Sequence, residues 1–143
     1  MKKQLVSILF ALCMVLCLVP LAAFAEGETE HVQVVADQTT LVAAMADTSV
    51  TTVKLAADIY IGATLTVDRT VTLDLNGFVL KYQNDSQRGS VIVVENGGQL
   101  TIEDSNSSKP SHRFNPNGKL WVLDEASGTE TVTGGVITGG TGN

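Results

Sequence analysis

The sequence predicts an all-β chain folded as a parallel β-helix, a solenoid of stacked coils with one short helix over its first end. Three observations carry that expectation. Short β-branched segments recur at VTLDLNG (71–77), SVIVVENGGQLTIEDS (90–105) and TGGVITGGTGN (133–143). Asn-Gly and Gly-Gly turns punctuate them, where positive φ costs little. Apolar pairs return at about 18 to 22 residues, as in Val53-Leu55, Leu73-Leu75 and Val91-Val93, the length of one solenoid coil. A coil cannot bury its apolar face alone, so coils must stack.

The first element is a leader, residues 1–25. Lys2 and Lys3 form a positive start, Leu5 to Leu18 is almost continuously apolar, and Pro20 breaks the helix. Ala23-Phe24-Ala25 is a small-x-small exit, so cleavage is expected after Ala25 and the chain is expected outside the cell, secreted or on the surface. The apolar core is shorter than the roughly 20 residues that span a bilayer, and no second apolar span follows. Cys13 and Cys17 both lie in the leader, without the small residues that lipidation requires before a cysteine. The exported chain therefore has no cysteine and no disulfide.

Cleavage removes two of the nine basic residues and none of the fifteen acidic ones. Seven then face fifteen, a net charge of −8, against −6 for the whole chain. An acidic chain without a basic patch argues against nucleic acid and anionic membranes as partners.

Residues 26–36 read as an acidic lead-in, with Val32, Val34 and Val35 as a possible first strand. Residues 37–49 hold the capping helix: Asp37 or Thr39 can serve as N-cap, and Leu41, Val42 and Met45 form its apolar face. Residues 50–143 read as coils, with strands at 51–56, 58–61, 64–67, 71–76, 78–82, 90–94, 99–104, 119–124 and 133–139. Alternation turns Val71, Leu73 and Leu75 one way and Thr72, Asp74 and Asn76 the other. Leu100 and Ile102 likewise oppose Thr101 and Glu103. Residues 105–119, SNSSKPSHRFNPNGK, read as an exposed polar loop. An antiparallel β-sandwich is the alternative, because Asn-Gly between apolar runs is a strong hairpin signal. Very short connections and apolar runs such as VIVV favour parallel stacking.

The segments Leu75-Asn76-Gly77, Gly97-Gly98-x-Leu100-Thr101-Ile102-x-Asp104-Ser105 and Gly134-Gly135-Val136-Ile137-Thr138-Gly139-Gly140 resemble bacterial surface proteins of the pectate-lyase-like group. The resemblance covers roughly residues 38–143 and implies a right-handed parallel β-helix. It implies no single chemistry, because that fold hosts lyases, hydrolases and non-catalytic adhesins. Proteins of this group stack more coils, so the chain is expected to be an N-terminal piece, truncated at its glycine-rich end. It carries no LPxTG anchor.

No catalytic constellation emerges from the residues. Asp74 and Glu103 both point outward, and two carboxylates about 5 to 9.5 Å apart could serve glycoside hydrolysis, but a solvated acidic face explains them as well. No paired histidines support zinc, and without a D-x-D-x-D-G loop the signal for calcium is weak, so the expectation is no cofactor, with calcium as the weakly supported alternative. His31 falls in the lead-in and His112 in the polar loop, where neither has a packed neighbour to orient it. Lys54, Arg69, Lys81 and Arg88 are scattered and suggest only solubility. The expected function is an exported scaffold, non-catalytic, contacting extracellular polysaccharide or a cell-surface glycan. Its contact face would be Thr72, Asp74, Asn76, Thr101 and Glu103, joined by Trp121 as a sugar-stacking aromatic beside the 105–119 loop if that side chain turns outward; core packing is the commoner fate of a lone tryptophan. The alternative is the N-terminal part of a polysaccharide lyase or glycoside hydrolase with its catalytic coils downstream.

Overall fold

The computed structural model describes residues 29–83, 89–108, 110–117 and 120–139. The expected leader, Arg88 and the terminal residues 140–143 lie outside the described residues. Among those described are twelve strands and one helix, so the chain is all-β with a single short helix, as its composition of β-branched runs predicts. No helix among them is long and apolar enough to cross a membrane.

The strands alternate inward and outward side chains. In β2 (Thr52–Leu55) Val53 and Leu55 are buried while Thr52 and Lys54 are only partly covered. β3 (Ile59–Ile61) and β4 (Leu65–Val67) bury their first and third residues. β5 (Thr70–Asp74) and β6 (Val79–Tyr82) follow, then β7 (Ile92–Val94) and β8 (Gln99–Glu103). With β1 (Val32–Val35), β2, β5 and β8 make a four-stranded sheet in the order β1-β2-β5-β8. A second sheet pairs β3, β6 and β12 (Val136–Thr138), and a third pairs β4 with β7. All pairs in these three sheets are parallel.

The chain passes from sheet to sheet, and Val53 stands beside Leu73, and Leu73 beside Ile102. The expected apolar series is corrected at its third member: Val93 stands beside Thr66 in another sheet, and the partner of Leu73 is Ile102. Inward residues such as Leu55, Ile59, Ile61, Val67 and Leu80 form one buried cluster along the axis. Each such side chain contributes roughly 1.5–3 kcal/mol by leaving water.

The turn at Asn76-Gly77 explains why the hairpin expectation of a sandwich does not hold. Both residues have positive φ, 49° and 81°, and the Phe78 N–H donates to the Leu75 carbonyl at 2.8 Å. That is tight-turn geometry, yet β5 and β6 leave it into different sheets. The Leu75 N–H is taken by the Glu103 carbonyl of β8, the parallel partner of β5, so the turn bends the chain around a corner instead of folding it back.

Helix α1 (Gln38–Ala46) packs against β1, β2 and β3. Asp37 is its N-cap, its carboxylate accepting from the Thr40 N–H at 2.9 Å. The buried stripe is Leu41, Ala44 and Met45, and Val42 is 49 % exposed. This corrects the predicted face: i, i+3, i+4 spacing puts Ala44, not Val42, beside its neighbours. Arg69, expected to matter only for solubility, clamps the helix end. Its guanidinium donates to the carbonyls of Ala44 and Met45 in the last helical turn and of Val50 beyond it, at 2.7–3.0 Å, supplying donors where a helix C-terminus is short of them.

The 105–119 segment is also corrected. β9 (Ser111–Asn117) is the central strand of an antiparallel sheet, β10-β9-β11, with β10 (Leu120–Leu123) and β11 (Glu130–Thr133) beside it. Polar composition hid a period of two that buries His112 and Phe114. Pro116 sits opposite Trp121 of β10, while β11 pairs only residues 111–114. Its missing N–H thus falls where the strand has one partner, the placement prolines tolerate in sheets.

Candidate functional site

The outward residues of the first sheet form columns. Thr52, Thr72 and Thr101 stand in register on β2, β5 and β8, and beside them stand Lys54, Asp74 and Glu103. A shallow groove of about 520 Å³ opens here, lined by Glu30, Thr52, Arg69, Thr70, Thr72 and Glu103 among others. Thr52 Oγ1 donates to Glu30 at 3.2 Å, and Glu103 is exposed.

Asp74 is outward but not open: it is 5 % exposed. One carboxylate oxygen accepts from the backbone N–H of Asn76 and of Ser105, both at 2.9 Å. The other pairs with Lys54 Nζ at 3.0 Å. Burial alone would raise this carboxyl, but donors from Ser105, Lys54 and Asn76 outweigh it and hold the pKa at about 2. Asn76 is committed too, its Nδ2 donating to the Leu55 carbonyl at 2.9 Å and its Oδ1 accepting from Ser105 Oγ at 3.2 Å. Lys54 completes the network by donating to Ser105 Oγ at 2.7 Å.

Three aspartates tie neighbouring segments together here. Asp58 accepts from the Val79 N–H, Asp74 from the Ser105 N–H, and Asp104 from the Gly77 N–H at 2.6 Å. Asp104 also accepts from the Gly135 N–H at 2.6 Å. Gly135 has to be glycine here, since a Cβ would overlap the Leu75 side chain. Carboxylates that accept several backbone N–H groups are scaffold elements. The sequence signal for them is an Asp at the end of a strand or in the turn that follows, where backbone donors lack strand partners.

The six sequence-predicted contact residues thus divide. Thr72, Thr101 and Glu103 lie together on the outward face, with Thr72 and Glu103 on the groove. Asp74 and Asn76 lie in the corner network with their polar atoms engaged. Trp121 belongs to β10 of the antiparallel sheet, and its side chain lies outside the described residues. An acid–base pair from Asp74 and Glu103 would need one carboxyl protonated near neutral pH, and Asp74 at about 2 is not that group.

Sequence reasoning missed His112. It is 4 % exposed, with Nε2 2.8 Å from the Gly77 carbonyl and Nδ1 2.8 Å from Glu125 Oε1. Glu125 Oε2 accepts from the Arg113 N–H at 3.1 Å. The expectation of an unoriented histidine in a polar loop is therefore corrected: the ring bridges the antiparallel sheet and the Asn76-Gly77 corner. His31, also expected to be loose, places Nδ1 3.1 Å from the Ser49 carbonyl.

Among the described residues no group of three or more histidine, cysteine or carboxylate side chains is arranged to hold a metal. Comparison with known proteins finds no matching family model, no matching curated protein and no matching solved structure.

Proposed function

We propose that this chain is an exported cell-surface scaffold, a right-handed parallel β-helix of the pectate-lyase-like kind, which contacts extracellular polysaccharide without transforming it. The rotation of the chain through three parallel sheets supports the coil stack. The observation that carries the binding reading is the threonine column Thr52-Thr72-Thr101, in register and bordered by a groove with Glu30 and Glu103 at its rim. Hydroxyls repeating at about 4.8 Å along a rigid stack suit a polymer of neutral hydroxylated rings, each contact weak and the sum multivalent. Backbone bonds at the corner hold the sheet rigid, so little order is lost on binding. Metal ions have no part in this reading.

The test is titration of the chain with neutral and acidic polysaccharides by calorimetry. Substituting Thr72→Ala, Thr101→Ala and Glu103→Gln together is expected to weaken binding at least tenfold while leaving the melting temperature within a few degrees. Binding that survives the triple substitution would refute the assignment.

A further inference from the structure

We propose that His112 is a cationic latch that holds the inserted antiparallel sheet, β9 to β11, against the coil stack and slackens when the ring gives up its second proton. This inference does not depend on the glycan reading. Both ring nitrogens meet acceptors. Gly77 offers a carbonyl oxygen at 2.8 Å and Glu125 a carboxylate oxygen at 2.8 Å. A neutral imidazole carries one N–H and one lone pair, so it can serve only one of these partners. The other would face a lone pair inside a buried site, which costs the desolvation of an unmade bond. Only the imidazolium donates to both.

The surroundings favour that charge from every side. Glu125 reaches the ring from the turn after β10, and Asp58 acts on it from the turn between β2 and β3. Asp104 binds the N–H of the same Gly77 whose carbonyl accepts from the ring. Arg113, the neighbour on β9, gives its backbone N–H to Glu125 and so holds that carboxylate in place. Burial alone would lower the ring's pKa, but the bond to Gly77 and the Glu125 carboxylate reverse this and raise it above the ordinary 6.5.

Further ties among the described residues lie at the base of the sheet. The chain re-enters through Gly135, whose N–H donates to Asp104, and Val136, whose N–H donates to the Phe78 carbonyl. His112 is the contact that fixes the sheet on the Leu75–Phe78 turn itself. A group with a raised native pKa stabilises fully below its ordinary value, and that contribution is lost as pH rises through the native one.

The experiment is ¹⁵N nuclear magnetic resonance of the imidazole in the whole chain from pH 5 to 9, with amide hydrogen exchange in parallel. The expected result is a ring protonated on both nitrogens at pH 6.5 and a midpoint above that value. Protection of the β9 and β11 amides should fall by up to about tenfold per pH unit between 6.5 and the midpoint, then level off. The β2 and β5 amides should keep theirs. Glu125→Gln should bring the midpoint down toward 6.5 and weaken protection of β9 even in acid. A neutral ring at pH 6, a midpoint at or below 6.5, or β9 protection that ignores the ring's charge would each overturn the proposal. A loss of protection shared equally by β2 and β5 would overturn it too, by making His112 a global stabiliser.

Discussion

Asp74 shows how a residue's neighbours decide its role. In sequence it is one of several outward acids on a strand. In the fold it is buried between Lys54 and the Ser105 and Asn76 amides, and its pKa stands at about 2. A depressed carboxylate stabilises the fold above its ordinary pKa and loses that contribution as pH falls through the native value. The shift from 3.8 to about 2 corresponds to roughly 2 kcal/mol. Asp74→Asn is expected to cost about that much at pH 7, and denaturant titrations should show the wild type losing about that much more stability than the variant between pH 4 and 2, since Asp37, Asp47 and Asp124 titrate alike in both. Equal slopes in the two proteins would mean the network contributes nothing through this charge.

At the scale of elements, long-range side-chain bonds fasten α1 and the inserted sheet, with Arg69 and Gln38 at the helix and His112 at the sheet. Arg69, between β4 and β5, joins the helix end by charged hydrogen bonds to the Ala44 and Met45 carbonyls and holds the Val50 carbonyl just beyond it. Such bonds are worth about 1.5–3 kcal/mol apiece at most, and are not additive. Arg69→Met, which keeps the stem but not the donors, should lower stability by roughly 2–3 kcal/mol and raise hydrogen exchange in α1 before β5 is affected. Unchanged exchange in α1 would show that Leu41 and Met45 hold it unaided. The helix itself was legible from Asp37 and the apolar spacing. Its clamp was not, because nothing in a sequence ties Arg69 to carbonyls some 19 to 25 positions away. β9 was illegible for a different reason: His112 and Phe114 alternate correctly, but Ser, Arg, Asn and Pro around them carry the signature of a loop.

For the whole molecule, position within a sheet decides what an apolar side chain is worth. Leu73 and Ile102 are register neighbours with the same inward direction, yet Leu73 is fully buried and Ile102 is 52 % exposed. Val67 and Val94 repeat the contrast at 2 % and 47 %. Leu73→Ala should therefore cost about 2–5 kcal/mol and Ile102→Ala less than about 1. Thermal unfolding of the two variants decides the point, and similar losses would mean that Ile102 is covered in solution. The sequence by itself determined the local code: strand runs, their inward and outward faces, the turn glycines and the N-cap, all set by neighbours within a few residues. Tertiary structure alone decided that Asn76-Gly77 turns a corner instead of closing a hairpin, that the polar loop contains a strand, and that Asp74, Arg69 and His112 act as staples, clamp and latch. Those outcomes depend on which groups a later coil brings within hydrogen-bond reach, and a linear pattern holds no record of that distance.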